Sequence, residues 1–306
     1  MTRYILARFV ESVVVVLGVL LLVFVILQLT GDPARLMLPP EATIEDIERL
    51  RQQMGFDRPL PVQFVRFLAG AVRGDFGSSL RYRDQPALAV VLERFPATLE
   101  LAAATLAWSI PLAFLLGLVA AIRRASVHEN AAMLTALIGQ SMPTFWLGLM
   151  LILIFSVNLG LLPSSGRGGF LHVVLPALTL GGFFMARLTR LVRSGLLDVL
   201  GQDYVRTARA KGLGERAVVV RHALKNAAIP IVTIIGLDIG TVLGGAVITE
   251  TVFAWPGVGR LAIDSINVRD FPVVEADVFV IAVAFVLINF AVDVLYTWLD
   301  PRVRLA

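Results

Sequence analysis

Among the polar residues inside the long apolar runs of this 306-residue chain, five stand out: Gln140 and Ser141 beside Pro143, Asp238, and Asn289 with Asp293 one helical turn later. Polar groups at membrane depth are costly, so each marks either the lining of a polar path or a group satisfied within a helix contact. Asp238 is the leading path candidate, because Gly236, Gly240 and Gly244 recur every four residues and give the same helix a close-packing stripe. Asp238, Asp293 and Glu250 are also the carboxylates that an ion-coupled transporter could use to carry protons. A hydrolase fits poorly: Gly139-Gln-Ser141-Met-Pro143 lacks the final glycine of a nucleophile elbow, and no histidine lies at similar depth.

Other chemistries are excluded by what the chain lacks. It has no cysteine, and its three histidines (His128, His172, His222) are scattered, which leaves no thiolate or histidine metal cluster. No Gly-Lys dipeptide occurs, so the chain has no P-loop and any nucleotide phosphate must be handled elsewhere. Hydrophobic residues make up 57% and charged residues only 16%, where a soluble domain is nearer 25% charged. That balance places the chain in a membrane.

A bilayer core about 30 Å thick needs roughly 20 helical residues. Six runs answer: about Phe9–Leu29, Thr98–Ile122, Ala131–Val157, Val173–Ala186, Ile231–Phe253 and Val278–Leu299. The first is too long for a signal-peptide core and lacks a small-x-small cleavage site, so it reads as a retained helix. With both termini inside, the inner segments hold fourteen cations (Arg3, Arg8, Arg123, Arg124, eight from Arg190 to Lys225, Arg302, Arg304). The two short outer loops hold three, Arg167, Arg260 and Arg269, so the positive-inside rule sets the orientation. Residues between the first two runs then form an external segment. In it, Thr43 and Asp46 can cap a helix ending near Gly55, and a second helix from Pro61 to Val72 would turn Val65, Leu68 and Val72 to one face.

The inner stretch DYVRTARAKGLGERAVVVRHALKNAAIP carries six cations against two acids. Its local chemistry predicts a helix over Asp203–Lys211, a break at Gly212-Leu213-Gly214, and a second helix over Glu215–Asn226 leading to Pro230. Small residues at Ala208 and Ala210 would admit another surface. Three rival readings arise: a topology signal resting on anionic lipid, nucleic-acid binding, and a dinucleotide fingerprint in GLGERA. The second lacks aromatic interleaving beyond Tyr204, and the third has no preceding strand.

Tyr204-Val-Arg-Thr-Ala-Arg-Ala-Lys-Gly-Leu213 with His222-Ala-Leu-Lys-Asn226 resembles the cytoplasmic coupling motif of ABC-importer permeases of the dipeptide, oligopeptide and nickel group. Matching motifs follow in order along nearly the whole chain: Gly31-Asp-Pro33, Gly74-Asp-Phe-Gly77, Pro96-Ala-Thr-Leu-Glu100, Leu162-Pro-Ser164, Gly245-Ala-Val-Ile-Thr-Glu250, Phe253-Ala-Trp-Pro-Gly257, Arg269-Asp-Phe-Pro272 and Asp300-Pro-Arg302. In one place the chain departs from the broad permease pattern. Arg206 and Thr207 stand where a Glu and an Ala are usual, and His222-Ala-Leu-Lys replaces the usual Ile-x-Leu-Pro.

The resemblance implies an all-α integral membrane protein with six transmembrane helices and the type I ABC-importer permease fold. Residues 1–30 would hold the first helix, 31–96 a small external helical segment, and 97–306 a five-helix core with the coupling hairpin at 203–230. It implies import of peptides or related small solutes, driven by ATP that partner subunits hydrolyse. This chain would bind no cofactor, with ATP and Mg held by two ATPase subunits or domains. A homologous second permease, an external substrate-binding protein and the lipid bilayer would complete the assembly, with no nucleic acid. The location implied is a bacterial or archaeal inner membrane. The implied ATPase-coupling residues are Tyr204, Arg206, Ala208, Ala210, Lys211, Gly212, Leu213, His222 and Asn226.

Overall fold

The computed structural model describes residues 2–29, 34–35, 38, 41–82 and 85–299. The motifs Gly31-Asp-Pro33 and Asp300-Pro-Arg302, and with them Arg304, lie outside the described residues. Apart from one bridge between Ser78 and Pro86, the regular structure among the described residues is helical. In chain order the helices are α1 (Thr2–Leu29), α2 (Ile44–Met54), α3 (Leu60–Arg73), α4 (Ala87–Ile122), α5 (Val127–Ser141) and α6 (Thr144–Leu151, continued by wider π turns over Ile152–Asn158). Then follow α7 (Phe170–Leu200), α8 (Asp203–Ala210), α9 (Leu224–Val252), α10 (Val258–Asn267) and α11 (Phe271–Leu299).

Ile5–Leu29, Ala87–Ile122, Phe170–Leu200, Ile234–Val252 and Phe271–Val294 are each long and apolar enough to cross a membrane. The run expected as a third straight span is instead bent by 105° between α5 and α6, where Pro143 has no N–H to continue the helix. Counting that bent pair as one span gives six. The fourth run, expected to stop near Ala186, continues to Leu200, so Arg187, Arg190 and Arg193 lie on a helix and not in a loop. A partner explains one of them: Arg193 Nε donates to Glu129 Oε1 at 2.9 Å, and Glu129 Oε2 accepts the Ala125 N–H.

The chain divides into two compact units, one of residues 2–98 with 256–290, the other of residues 99–255 with 291–306. In the first unit α2 starts as its sequence dictates, with a capping box between Thr43 and Asp46, and ends at Gly55 with φ 76°. The packed face of α3 is not the expected one. Val65 and Val72 are 64% and 88% exposed, and Phe67, Leu68 and Ala71 pack into the core. The larger apolar surface of the aromatics decides this rotation: Phe24 of α1 lies 5.4 Å from Phe64 and 6.1 Å from Phe67, ring centre to ring centre.

The same unit explains two sequence motifs. Asp270, fully buried just before α11, accepts Ser79 Oγ at 2.5 Å and the backbone N–H groups of Leu80 and Arg81 at 3.1 and 3.2 Å. Thr98 Oγ1 accepts the Val258 N–H at 2.9 Å, satisfying one of the donors orphaned at the start of α10. In the second unit α5 and α7 approach closely enough that a Cβ on Gly139 would lie 2.9 Å from the Gly182 carbonyl oxygen.

Removing the Asp270 carboxylate strands the Ser79 hydroxyl and the Leu80 N–H in a buried place, while the Arg81 N–H keeps Ser79 Oγ at 3.2 Å. Asp270→Ala should therefore destabilise the first unit by about 3 kcal/mol. The expected signs are a lower unfolding temperature in detergent and new protease cleavage within residues 78–86.

Candidate functional site

The candidate coupling segment is a small closed structure. Val205 and Ala208, three residues apart on one face of α8, are buried with Val218 against Val199 and Leu200 at the end of α7. The helix closes at Gly212 with φ 80°: the Gly212 N–H reaches the Arg209 carbonyl at 2.9 Å and the Leu213 N–H the Ala208 carbonyl at 3.3 Å. This is the Schellman arrangement, and it needs a left-handed residue. A Cβ on Gly212 would meet nothing within 4 Å, so the requirement is the backbone angle and not space.

Across the turn, Arg209 Nε and Nη2 donate to both oxygens of Glu215 at 3.1 and 2.7 Å. The guanidinium holds the Glu215 carboxyl below the usual glutamate range, and the carboxylate in turn raises Arg209. Asn226 Nδ2 donates to the Tyr204 hydroxyl at 3.0 Å and to the His222 carbonyl at 2.9 Å. Three of the sequence candidates, 22 residues apart at their extremes, are thereby brought together.

Two features differ from expectation. Ala208 does not present its methyl to the outside; it fills the interior of the hairpin because it shares the Val205 face. The second helix does not stop before residue 230: Glu215–Ala217, π turns over Val218–Ala223, and α9 follow one another without a break. Exposed among the candidates are Tyr204, Arg206, Ala210, Lys211, Gly212, Leu213 and Asn226.

The intramembrane candidates separate. Asp238 is 2% exposed and accepts Arg187 Nη1 on Oδ1 at 2.7 Å, while its Oδ2 has no hydrogen-bond partner. Both residues line a pocket of about 230 Å³ with Thr144, Phe183, Phe184 and Thr241. Gln140 and Ser141 do not line it, although Thr144 follows them across the α5–α6 bend; Gln140 Oε1 is buried without a partner and Ser141 is exposed. Asn289 donates to the Phe285 carbonyl of its own helix at 2.9 Å, the bland outcome for a polar residue in a span. Asp293 lies half-buried on α11. In the glycine stripe, Gly236 packs within this chain, where a Cβ would lie 2.2 Å from Val292, while Gly244 is open. Sequence reasoning missed Arg187, which stands one residue beyond the run taken as the fourth span.

The sequence matches the family described as the binding-protein-dependent transport system inner membrane component over residues 113–305, and the N-terminal component of such systems over residues 1–102. The chain belongs to this family of inner-membrane components. It is a multi-pass permease subunit of an ABC importer, as the ordered motifs imply, and the ion-coupled secondary transporter is set aside. Among its relatives is the glutathione transport system permease protein GsiC of Salmonella paratyphi A, 44% identical over 305 residues and covering 99% of each chain. GsiC of Escherichia coli strain K12 is 43% identical over the same length. The fold is that of the inward-facing methionine ABC transporter MetNI, with TM-score 0.56 at 19% identity over 69% of this permease and 97% of that chain. An amino acid ABC transporter solved with histidines gives 0.52 at 16% identity, over 70% and 94%.

Two consequences of the hairpin geometry are measurable by amide hydrogen exchange over residues 203–218. Gly212→Ala should loosen the hairpin by about 1 kcal/mol, the penalty of a left-handed alanine. The Arg209–Glu215 pair is 41% and 54% exposed and should contribute less than about 1 kcal/mol. Because the carboxylate is depressed, that contribution should be full at neutral pH and vanish only as the pH falls below the ordinary glutamate value. Glu215→Gln should abolish this acid limb.

Proposed function

We propose that this permease imports peptides or peptide-like small solutes such as glutathione. It pairs with a homologous second permease, two ATPase subunits or domains, and an external substrate-binding protein. The observation that carries the coupling role is the hairpin. Val205, Ala208 and Val218 are turned inward, its turn is closed by a left-handed glycine and an ion pair, and Tyr204, Arg206, Ala210, Lys211 and Leu213 are left outside. A loop that merely rests on lipid needs cations and no interior of its own. A rigid knob with small residues at its tip suits a groove on an ATPase. Ala208 supports this knob from within.

ATP and Mg belong to the partner ATPases, in keeping with the missing Gly-Lys dipeptide. The charge count of fourteen against three supports both termini and the hairpin on the cytoplasmic side, with residues 31–96 outside. Rigid-body motion of the ATPases, passed through the hairpin, would alternate access to a path in which Asp238 is the foremost of the polar candidates. The 44% identity to a glutathione permease supports the substrate class.

The test is the complete complex in proteoliposomes. Ala210→Glu places bulk and charge on the exposed tip and should leave the permease inserted while lowering ATP-driven uptake at least tenfold. Wild-type uptake by Ala210→Glu at normal abundance would overturn the coupling role. Ala208→Glu should fail differently, by opening the hairpin itself, seen as rapid hydrogen exchange before any partner is added.

A further inference from the structure

We propose that Arg187 is the carboxylate-binding residue of the transport path, receiving the terminal carboxylate of a peptide-like solute, with Asp238 as its positioning residue. This rests on the peptide-import reading above. Arg187 on α7 and Asp238 on α9 belong to the same compact unit. Their contact is lopsided: the Arg187 side chain is 48% exposed and that of Asp238 only 4%. The guanidinium meets its partner through Nη1 alone, and among the described residues Asp238 is the one polar partner given to it. Among the described residues, Nε and Nη2 have no protein acceptor. The Arg209–Glu215 pair makes the contrast, with two guanidinium nitrogens on two carboxylate oxygens.

An open guanidinium in a transmembrane helix is expensive, and a pair that served only to join two helices would close both partners. The free side of the fork has the geometry that takes a carboxylate through two parallel hydrogen bonds. An ammonium ligand is the weaker match, because the one unpartnered anionic atom, Asp238 Oδ2, is sealed from solvent. The pocket before Arg187 supplies the rest of the recognition. Phe183 and Phe184 give an apolar wall, Thr144 gives a hydroxyl group, the Thr241 hydroxyl donates to the Asp238 carbonyl at 2.8 Å, and the volume of about 230 Å³ is below that of a drug-sized site. It suits one terminal residue of a peptide, side chain against the rings and carboxylate on the guanidinium.

The experiment measures molecules imported per ATP hydrolysed by the complete complex in proteoliposomes, with radiolabelled glutathione and radiolabelled Ala-Phe as probes. A single neutral substitution leaves an unpaired buried charge, so the decisive variant is the double one, Arg187→Met with Asp238→Leu, which removes both charges together. It should assemble and keep the ATP hydrolysis stimulated by loaded binding protein, yet import at least tenfold less per ATP. Arg187→Lys, which keeps the charge without the fork, should recover part of the import. Import by the double variant at the wild-type ratio would make the pair a helix tie and overturn the proposal. A wild-type complex that hydrolyses ATP but moves neither probe would overturn the peptide-import reading, and the carboxylate proposal with it.

Discussion

The interior of a bilayer supplies no hydrogen bonds, so a chain that crosses it must satisfy its backbone within helices and close each helix end by its own local chemistry. The same closure recurs along this permease. At Gly55, Gly74 and Gly212 a left-handed residue turns the last carbonyls back onto two following N–H groups. Ala254 and Arg269 do this with φ values of 49° and 60°, angles at which a side chain is strained. Their surroundings hold them there. Ala254 stands between Phe253 and Trp255, both fully buried, and the Trp255 N–H is fixed on the Glu250 carbonyl at 2.8 Å. Arg269 precedes Asp270, whose carboxylate is clamped by the 79–81 loop. The strings Phe253-Ala-Trp-Pro-Gly257 and Arg269-Asp-Phe-Pro272 are thus helix terminators whose flanking residues over-determine a costly turn.

Features settled by neighbours along the chain were legible from the sequence. The Thr43–Asp46 box, the break at Gly212 and the placement of the apolar runs all follow from interactions spanning a few residues. Features settled by distant contacts were not. The carboxylate of Asp270 is organised by residues 189 to 191 positions away, and no local pattern announces it. The face of α3 was decided by Phe24 of another helix. Arg187 was overlooked because the apolar run ends at Ala186, yet the helix continues to Leu200 on a face whose burial comes from tertiary packing. Ala208 was legible as small but not in its direction. Its spacing of three from Val205 would have pointed inward had that valine been taken as the anchor.

The two parts of the candidate site are joined by the helices that carry them. α7 holds Arg187 and, thirteen residues later, ends at Leu200 against Val205, Ala208 and Val218 of the hairpin. α9 holds Asp238 and is the direct continuation of the hairpin's second arm through the π turns at Val218–Ala223. Each helix runs about 20 Å, at 1.5 Å per residue, between the hairpin and the Arg187–Asp238 contact, so a displacement of the packed hairpin has a helical path to that contact on either side. The two links are not equally stiff. On the α7 side the hairpin is held by a packed apolar cluster and a short turn through Gly201 and Gln202. On the α9 side the backbone is continuous but passes through π turns, whose hydrogen bonds are longer in register and tolerate rearrangement. A push on α8 is therefore transmitted unequally to the two helices, and a small difference in their travel falls on a contact made through a single guanidinium nitrogen. In the proposed cycle that inequality matters more than the size of the motion. It would alter how Asp238 holds Arg187 at the moment the path changes sides, and the grip of the open fork on a carboxylate would change with it.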